Sequence, residues 1–163
     1  MQKRIDLKLI LAIIATGLLS FCGVIVETAM NITFPVLMRE FAINAATVQW
    51  MTTAYLLVVA IVVPLSAFLK RRFKTKTLFI AANLLFLLGL IIDALATNFT
   101  VLVFGRIAQG LGTGIALPLM FNIIIDWAPQ AQKGMLMGIG TLITAIAPAL
   151  GPTFGGFIVG SLG

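Results

Sequence analysis

Five apolar stretches, each long enough to cross a lipid bilayer and each parted from the next by a short polar connection, set what this chain can fold into. A bilayer core about 30 Å thick is crossed by about 20 residues of helix. Stretches of that length run over residues 9–31, 48–69, 77–96, 99–125 and 134–159. The connections between them are too short to hold a soluble domain. Hydrophobic residues make up 61% of the 163 positions and charged residues 10%, against roughly 45–50% and 25% in soluble domains. No soluble domain of this size has an interior able to hide so much apolar surface. The solvent is therefore lipid, and the expected fold is an all-α membrane protein of about five transmembrane helices.

The net charge of +6 would invite nucleic acid in a soluble protein. Here the basic residues sit in short connections, where they set topology, and nucleic acid is not an expected partner. One side of the alternation holds nine Lys and Arg: Lys3, Arg4 and Lys8 in the tail, Lys70, Arg71, Arg72, Lys74 and Lys76 in the second connection, and Lys133 in the fourth. The other side holds Arg39 alone, and Arg106 falls inside a span. Positive residues concentrate in cytoplasmic loops, so a multi-pass protein with a cytoplasmic N-terminus is expected, and Gly163 would lie on the outer side. The basic start MQKRIDLK precedes an apolar run too long for a signal peptide and lacking its cleavage site. A retained first span is therefore the expectation. Without histidine, and with Cys22 as the single cysteine, the chain offers no zinc-type ligand set. Cys22 itself is a small hydrophobe. No nucleophile–base arrangement points to an enzyme.

Glu27 and Arg106 are ionisable residues within spans, a costly placement that marks function. The first lies about four residues from the outer end of its span and the second about seven, or roughly 6 and 10 Å at 1.5 Å per residue. The two could therefore meet across the outer half of a bundle. A carboxylate whose proton affinity responds to substrate and conformation can couple proton entry to export, with the guanidinium as its partner. Two plainer readings stand beside that one: a fixed ion pair, or a Glu27 that snorkels to the outer interface. Asp93 and Asp126 lie near span ends, where solvation or snorkelling is expected.

Small residues form a second pattern. The fourth span carries Gly105, Gly110, Gly112 and Gly114, and the fifth carries Gly134, Gly138, Gly151, Gly155, Gly156 and Gly160 with Pro148 and Pro152. Glycines let helices approach closely in lipid, and prolines remove helix hydrogen bonds. The expectation for the fifth span is a bent, closely packed helix; ordinary packing is the alternative. The loop Ser66–Lys76, with Arg71, Arg72 and Lys74, is either a positive-inside anchor or a latch between helix ends.

Several segments resemble the major facilitator superfamily, most of all the 14-span drug:proton antiporters of the lincomycin-resistance type. They are Glu27-Thr28-x-x-Asn31 to Pro35, Gln49-Trp50 to Tyr55 with Val63–Leu69, Gly105-Arg106-Ile107-Ala108-Gln109-Gly110, and Ala147-Pro148-Ala149-Leu150-Gly151-Pro152-Thr153-Phe154-Gly155-Gly156. Order and spacing match over nearly the whole chain. The resemblance implies helical bundles built from 3+3 repeats, of which these residues would form a partial N-terminal bundle. It also implies Arg106 and Gln109 near a proton path, and an antiporter motif containing Gly151, Pro152, Gly155 and Gly156. The coupling ion would be a proton, with no other cofactor. The partners would be the lipid bilayer of the cell membrane and an amphipathic, drug-like substrate.

The sequence departs from the wider family at several positions. Val26 stands where the family has Asp, one residue before Glu27. Ala67, Arg71 and Lys74 replace Gly, Asp and Gly of the family's loop, so an acid-dependent latch does not carry over. Ala147 stands where Gly is usual. Five spans are one short of a six-helix bundle, and FGGFIVGSLG brings no basic stop or polar tail. The expectation is an N-terminal segment of a multidrug or antibiotic efflux antiporter, not competent alone, that needs its missing C-terminal part or other subunits. The alternatives are a membrane module that modulates a partner and a small transporter completed by oligomerisation.

Overall fold

The computed structural model describes residues 6–162; Lys3, Arg4 and Gly163 lie outside them. The helices are α1 (Leu7–Glu40), α2 (Ala45–Val48), α3 (Trp50–Arg72), α4 (Thr75–Ala94), α5 (Phe99–Trp127) and α6 (Lys133–Leu162), with a 3-10 turn at Gln130–Gln132. There is no strand among the described residues. Five helical segments are long and apolar enough to span a membrane, α2 running with α3 as one of them.

Side-chain caps explain where several helices begin, because an Asp or Asn oxygen satisfies an N–H that the first turn leaves free. The Lys8 amide donates to Asp6, the Thr47 amide to Asn44 at 2.8 Å, and the Val101 amide to Asn98 at 3.0 Å. At its far end α1 closes in a Schellman arrangement. The Ile43 amide donates to the Met38 carbonyl, and Ala42 takes the left-handed conformation (φ 50°) usually left to glycine.

The first helix runs well past Asn31, where its apolar run was expected to stop. Pro35 lies inside α1 without ending it, since it removes only a local hydrogen bond. The added turns have a packing reason: Met30, Phe34, Leu37 and Met38 close around the buried Val48, Met51 and Leu102. The helix α6 is continuous through Pro148 and Pro152.

At the centre, α5 packs against α4, α3 and α1, while α6 lies along α1. Glycines on α5 permit this crowding. A Cβ on Gly112 would lie 2.7 Å from the Ala82 carbonyl oxygen, and one on Gly114 would lie 2.8 Å from Val62 Cβ. The outward faces remain apolar, with Leu57, Phe68, Leu84, Phe104 and Phe157 all exposed, as suits contact with lipid.

Apolar layers fill the bundle. Leu9, Ile13, Leu78, Leu119, Met120 and Ile124 belong to a cluster toward the end that carries the N-terminus. Leu19, Ala82, Phe86 and Ala116 form the next, and Val48, Met51 and Leu102 close the opposite end. Between the last two lies a polar layer.

Candidate functional site

That polar layer is built on one face of α5. Arg106, Gln109 and Thr113 recur at helical spacing and are all buried, the first two with no exposed surface. Arg106 Nη1 donates to Gln109 Oε1 at 2.5 Å. Gln109 Nε2 donates in turn to Asp93 Oδ2 on α4 at 2.6 Å. The close approach of α4 and α5 makes this reach possible: a Cβ on Gly89 would lie 2.6 Å from the Gly105 carbonyl oxygen. The guanidinium carbon sits 4.5 Å from the centre of the Tyr55 ring on α3, a cation–π contact. Tyr55 is itself buried, and its hydroxyl donates to the Gly23 carbonyl on α1 at 3.1 Å. One charged side chain thus ties four helices together.

The layer is incompletely satisfied. Arg106 Nε and Nη2, Asp93 Oδ1 and Thr113 Oγ1 are buried without a hydrogen-bond partner among the described residues. A buried charge persists only when paired and hydrogen-bonded, so unpartnered donors on a guanidinium leave it ready to take another acceptor.

Glu27 and Arg106 do not form the expected direct pair. Glu27 is half-buried and makes no hydrogen bond or ion pair among the described residues, while Arg106 is held by Gln109. About 20 Å of α1 follows Glu27 at 1.5 Å per residue, and the Val48–Met51–Leu102 cluster closes that end of the bundle.

Asp93 also departs from expectation. It lies in the last turn of α4, as expected, but it is half-buried there and drawn into the α4–α5 interface by Gln109. The signal was available in the helical period, because Ala82, Phe86 and Gly89 form the buried stripe of α4 and Asp93 continues it. Tyr55, the single tyrosine, carried no sequence signal of its own beyond the resemblance. Asp126 does lie near the surface, with its carboxylate 2.6 Å from Lys70 Nζ and both side chains about a third exposed. Such a pair contributes under about 1 kcal/mol. Arg71, Arg72 and Lys74 are exposed beside it.

The antiporter-like stretch of α6 divides by helical face. Gly151 and Gly155 are buried against α1, where a Cβ on Gly155 would lie 2.7 Å from the Ala29 carbonyl oxygen. Pro152 and Gly156 point away and are exposed, and a Cβ on Gly156 would meet nothing within 4 Å.

A family model described as Major Facilitator Superfamily matches residues 16–163. The chain belongs to this superfamily. It is 46% identical over 152 residues to lincomycin resistance protein LmrB of Bacillus subtilis, covering 93% of this chain and 32% of that protein. It is 42% identical over 161 residues to lincomycin resistance protein LmrB of Listeria monocytogenes, covering 99% of this chain and 34% of that one. With multidrug export protein EmrB of Haemophilus influenzae it shares 27% identity over 150 residues, 92% of this chain and 29% of that protein. The chain spans about a third of the length of the curated relatives it matches. Family membership and the five apolar helices together make this a multi-pass membrane protein.

Proposed function

We propose that these helices form the N-terminal part of a proton-coupled exporter of amphipathic drugs, set in the cell membrane with the N-terminus in the cytoplasm. The observation that carries the reading is the buried Arg106, joined through Gln109 to Asp93 in a bundle whose other buried side chains are uncharged among the described residues. Intramembrane ionisable groups are costly and mark ion paths. A carboxylate near a guanidinium can alternate between charged and neutral forms as the pair is made and broken. The coupling ion is the proton, with Glu27 as the carrier on α1 and Asp93 added to the site beside it. The relatives named for lincomycin resistance and multidrug export support a drug-like substrate. Alternating access needs two halves that rock against each other, so the partners of these helices are the remaining spans of a complete transporter, within one chain or from other subunits. The basic excess at the N-terminal end of the bundle supports the orientation.

Glu27→Gln keeps the size of the side chain and removes the titrating group. In vesicles holding the full-length protein, proton-driven drug export is expected to fall at least about tenfold, the effect of roughly 1.4 kcal/mol. Drug binding in the absence of a gradient is expected to persist. Export at the wild-type rate and with wild-type dependence on the proton gradient would remove Glu27 from the coupling path.

A further inference from the structure

We propose that Tyr55 is a positioning residue through which the place of α1 sets the place of the Arg106 guanidinium. Its two ends are held by different helices. At the root, the α3 backbone lies hard against α5: a Cβ on Gly110 would lie 3.0 Å from the Tyr55 carbonyl oxygen. That contact fixes the root on α5, the helix that also carries Arg106. At the tip, the hydroxyl donates to the Gly23 carbonyl of α1 at 3.1 Å. Between the two ends, the guanidinium carbon lies over the ring, 4.5 Å from its centre.

The acceptor at the tip decides what the tyrosine reports. Within an α-helix each carbonyl accepts the amide four residues on. The Gly23 carbonyl is therefore the acceptor of the Glu27 amide inside α1. The Tyr55 hydroxyl shares that oxygen, so it grips the turn that carries Glu27. Glycine at this position also lets α5 come close: a Cβ on Gly23 would lie 2.7 Å from Thr113 Cγ2. One other side-chain hydrogen bond joins α1 to α3 among the described residues, from Thr52 to Asn31 at 2.9 Å, and it is exposed. Tyr55 is the buried link between the two helices.

The ring is a rigid plane. With its root fixed on α5 and its tip on α1, a displacement of α1 against α5 turns that plane. A cation is attracted to the face of a ring and loses the attraction as the face turns away. The guanidinium has few other holds. Nη1 donates to Gln109, while Nε and Nη2 are buried without a partner among the described residues. Arg106 therefore follows the ring, and a movement of the Glu27 turn reaches it by contact. Use of this link in export rests on the proton-coupled reading above, but the link itself is observable without transport.

Side-chain NMR of the arginine-labelled, full-length protein in lipid nanodiscs tests it. The Arg106 Nε–H resonance is assigned by its loss in Arg106→Lys. A ring shields a proton held over its face, so Tyr55→Leu should move this resonance downfield. Tyr55→Phe keeps the ring and cuts only the tie to Gly23; it should move the resonance at least halfway to its place in Tyr55→Leu. Tyr55→Phe should also lower drug-evoked proton flux about fivefold, the scale of one buried hydrogen bond. In the Arg106→Lys background it should lower the flux by less than about twofold, because a residue that acts through another loses its route when the other is replaced. Should Tyr55→Phe fail to fold, 4-fluorophenylalanine in place of Tyr55 fills the volume of the hydroxyl without donating and is read in the same way. The proposal is overturned if the resonance stays in place in Tyr55→Phe or in Tyr55→Leu, if Tyr55→Phe leaves the flux at the wild-type rate, or if the flux falls equally in the two backgrounds. Flux that falls while the resonance stays in place would remove the link and leave the export reading standing. A moved resonance in a protein that shows no drug-evoked proton flux would do the reverse.

Discussion

Arg106→Leu is expected to abolish proton-driven drug efflux by the full-length protein, lowering the initial rate in everted vesicles at least about a hundredfold. Removing one member of a buried, hydrogen-bonded charge group costs about 3–5 kcal/mol, because its partners stay buried without compensation. Here the partners are Gln109, which receives the guanidinium hydrogen bond, and Asp93 behind it. Leucine also ends the contact with the Tyr55 ring. Arg106→Lys restores the charge but not the planar fork or its stacking, so it should recover only part of the activity. Wild-type efflux from Arg106→Leu would show that the polar layer is structural filler.

Gly155→Leu and Gly156→Leu are expected to differ sharply although the two glycines are neighbours. At Gly155 the first added carbon would lie 2.7 Å from the Ala29 carbonyl oxygen and 3.0 Å from Ala29 Cα, both backbone atoms that cannot rotate aside. At Gly156 there is open space. Overpacking a tight contact costs about 1–3 kcal/mol and occasionally more. Thermal unfolding in mild detergent should therefore drop by roughly 5–10 °C for Gly155→Leu and by under about 2 °C for Gly156→Leu. Equal losses at the two positions would mean that α6 does not pack on α1 through this face.

The number of spans was legible because each is a long apolar run parted from the next by a short polar connection. Helix length was less so. The apolar run was expected to end at Asn31, yet α1 continues to Glu40, where Met30, Phe34, Leu37 and Met38 pack around Val48, Met51 and Leu102. Arg106 was legible as a charge that lipid would reject. Asp93 was not, because its position near the end of an apolar run hid its place on the buried stripe of α4. The Glu27–Arg106 pair was reasonable from depth alone, but depth does not say which acid α5 faces. Gly155 and Gly156 were indistinguishable until the phase of α6 against α1 was fixed.

Proton movement in proteoliposomes bears most directly on drug export driven by protons. With the full-length protein reconstituted beside a lumenal pH dye, addition of an amphipathic drug should evoke proton flux opposite in direction to drug flux. That flux should vanish in Arg106→Leu and when the pH gradient is collapsed. Drug movement with no accompanying proton flux, unchanged by collapsing the gradient, would contradict a proton-coupled site in this bundle.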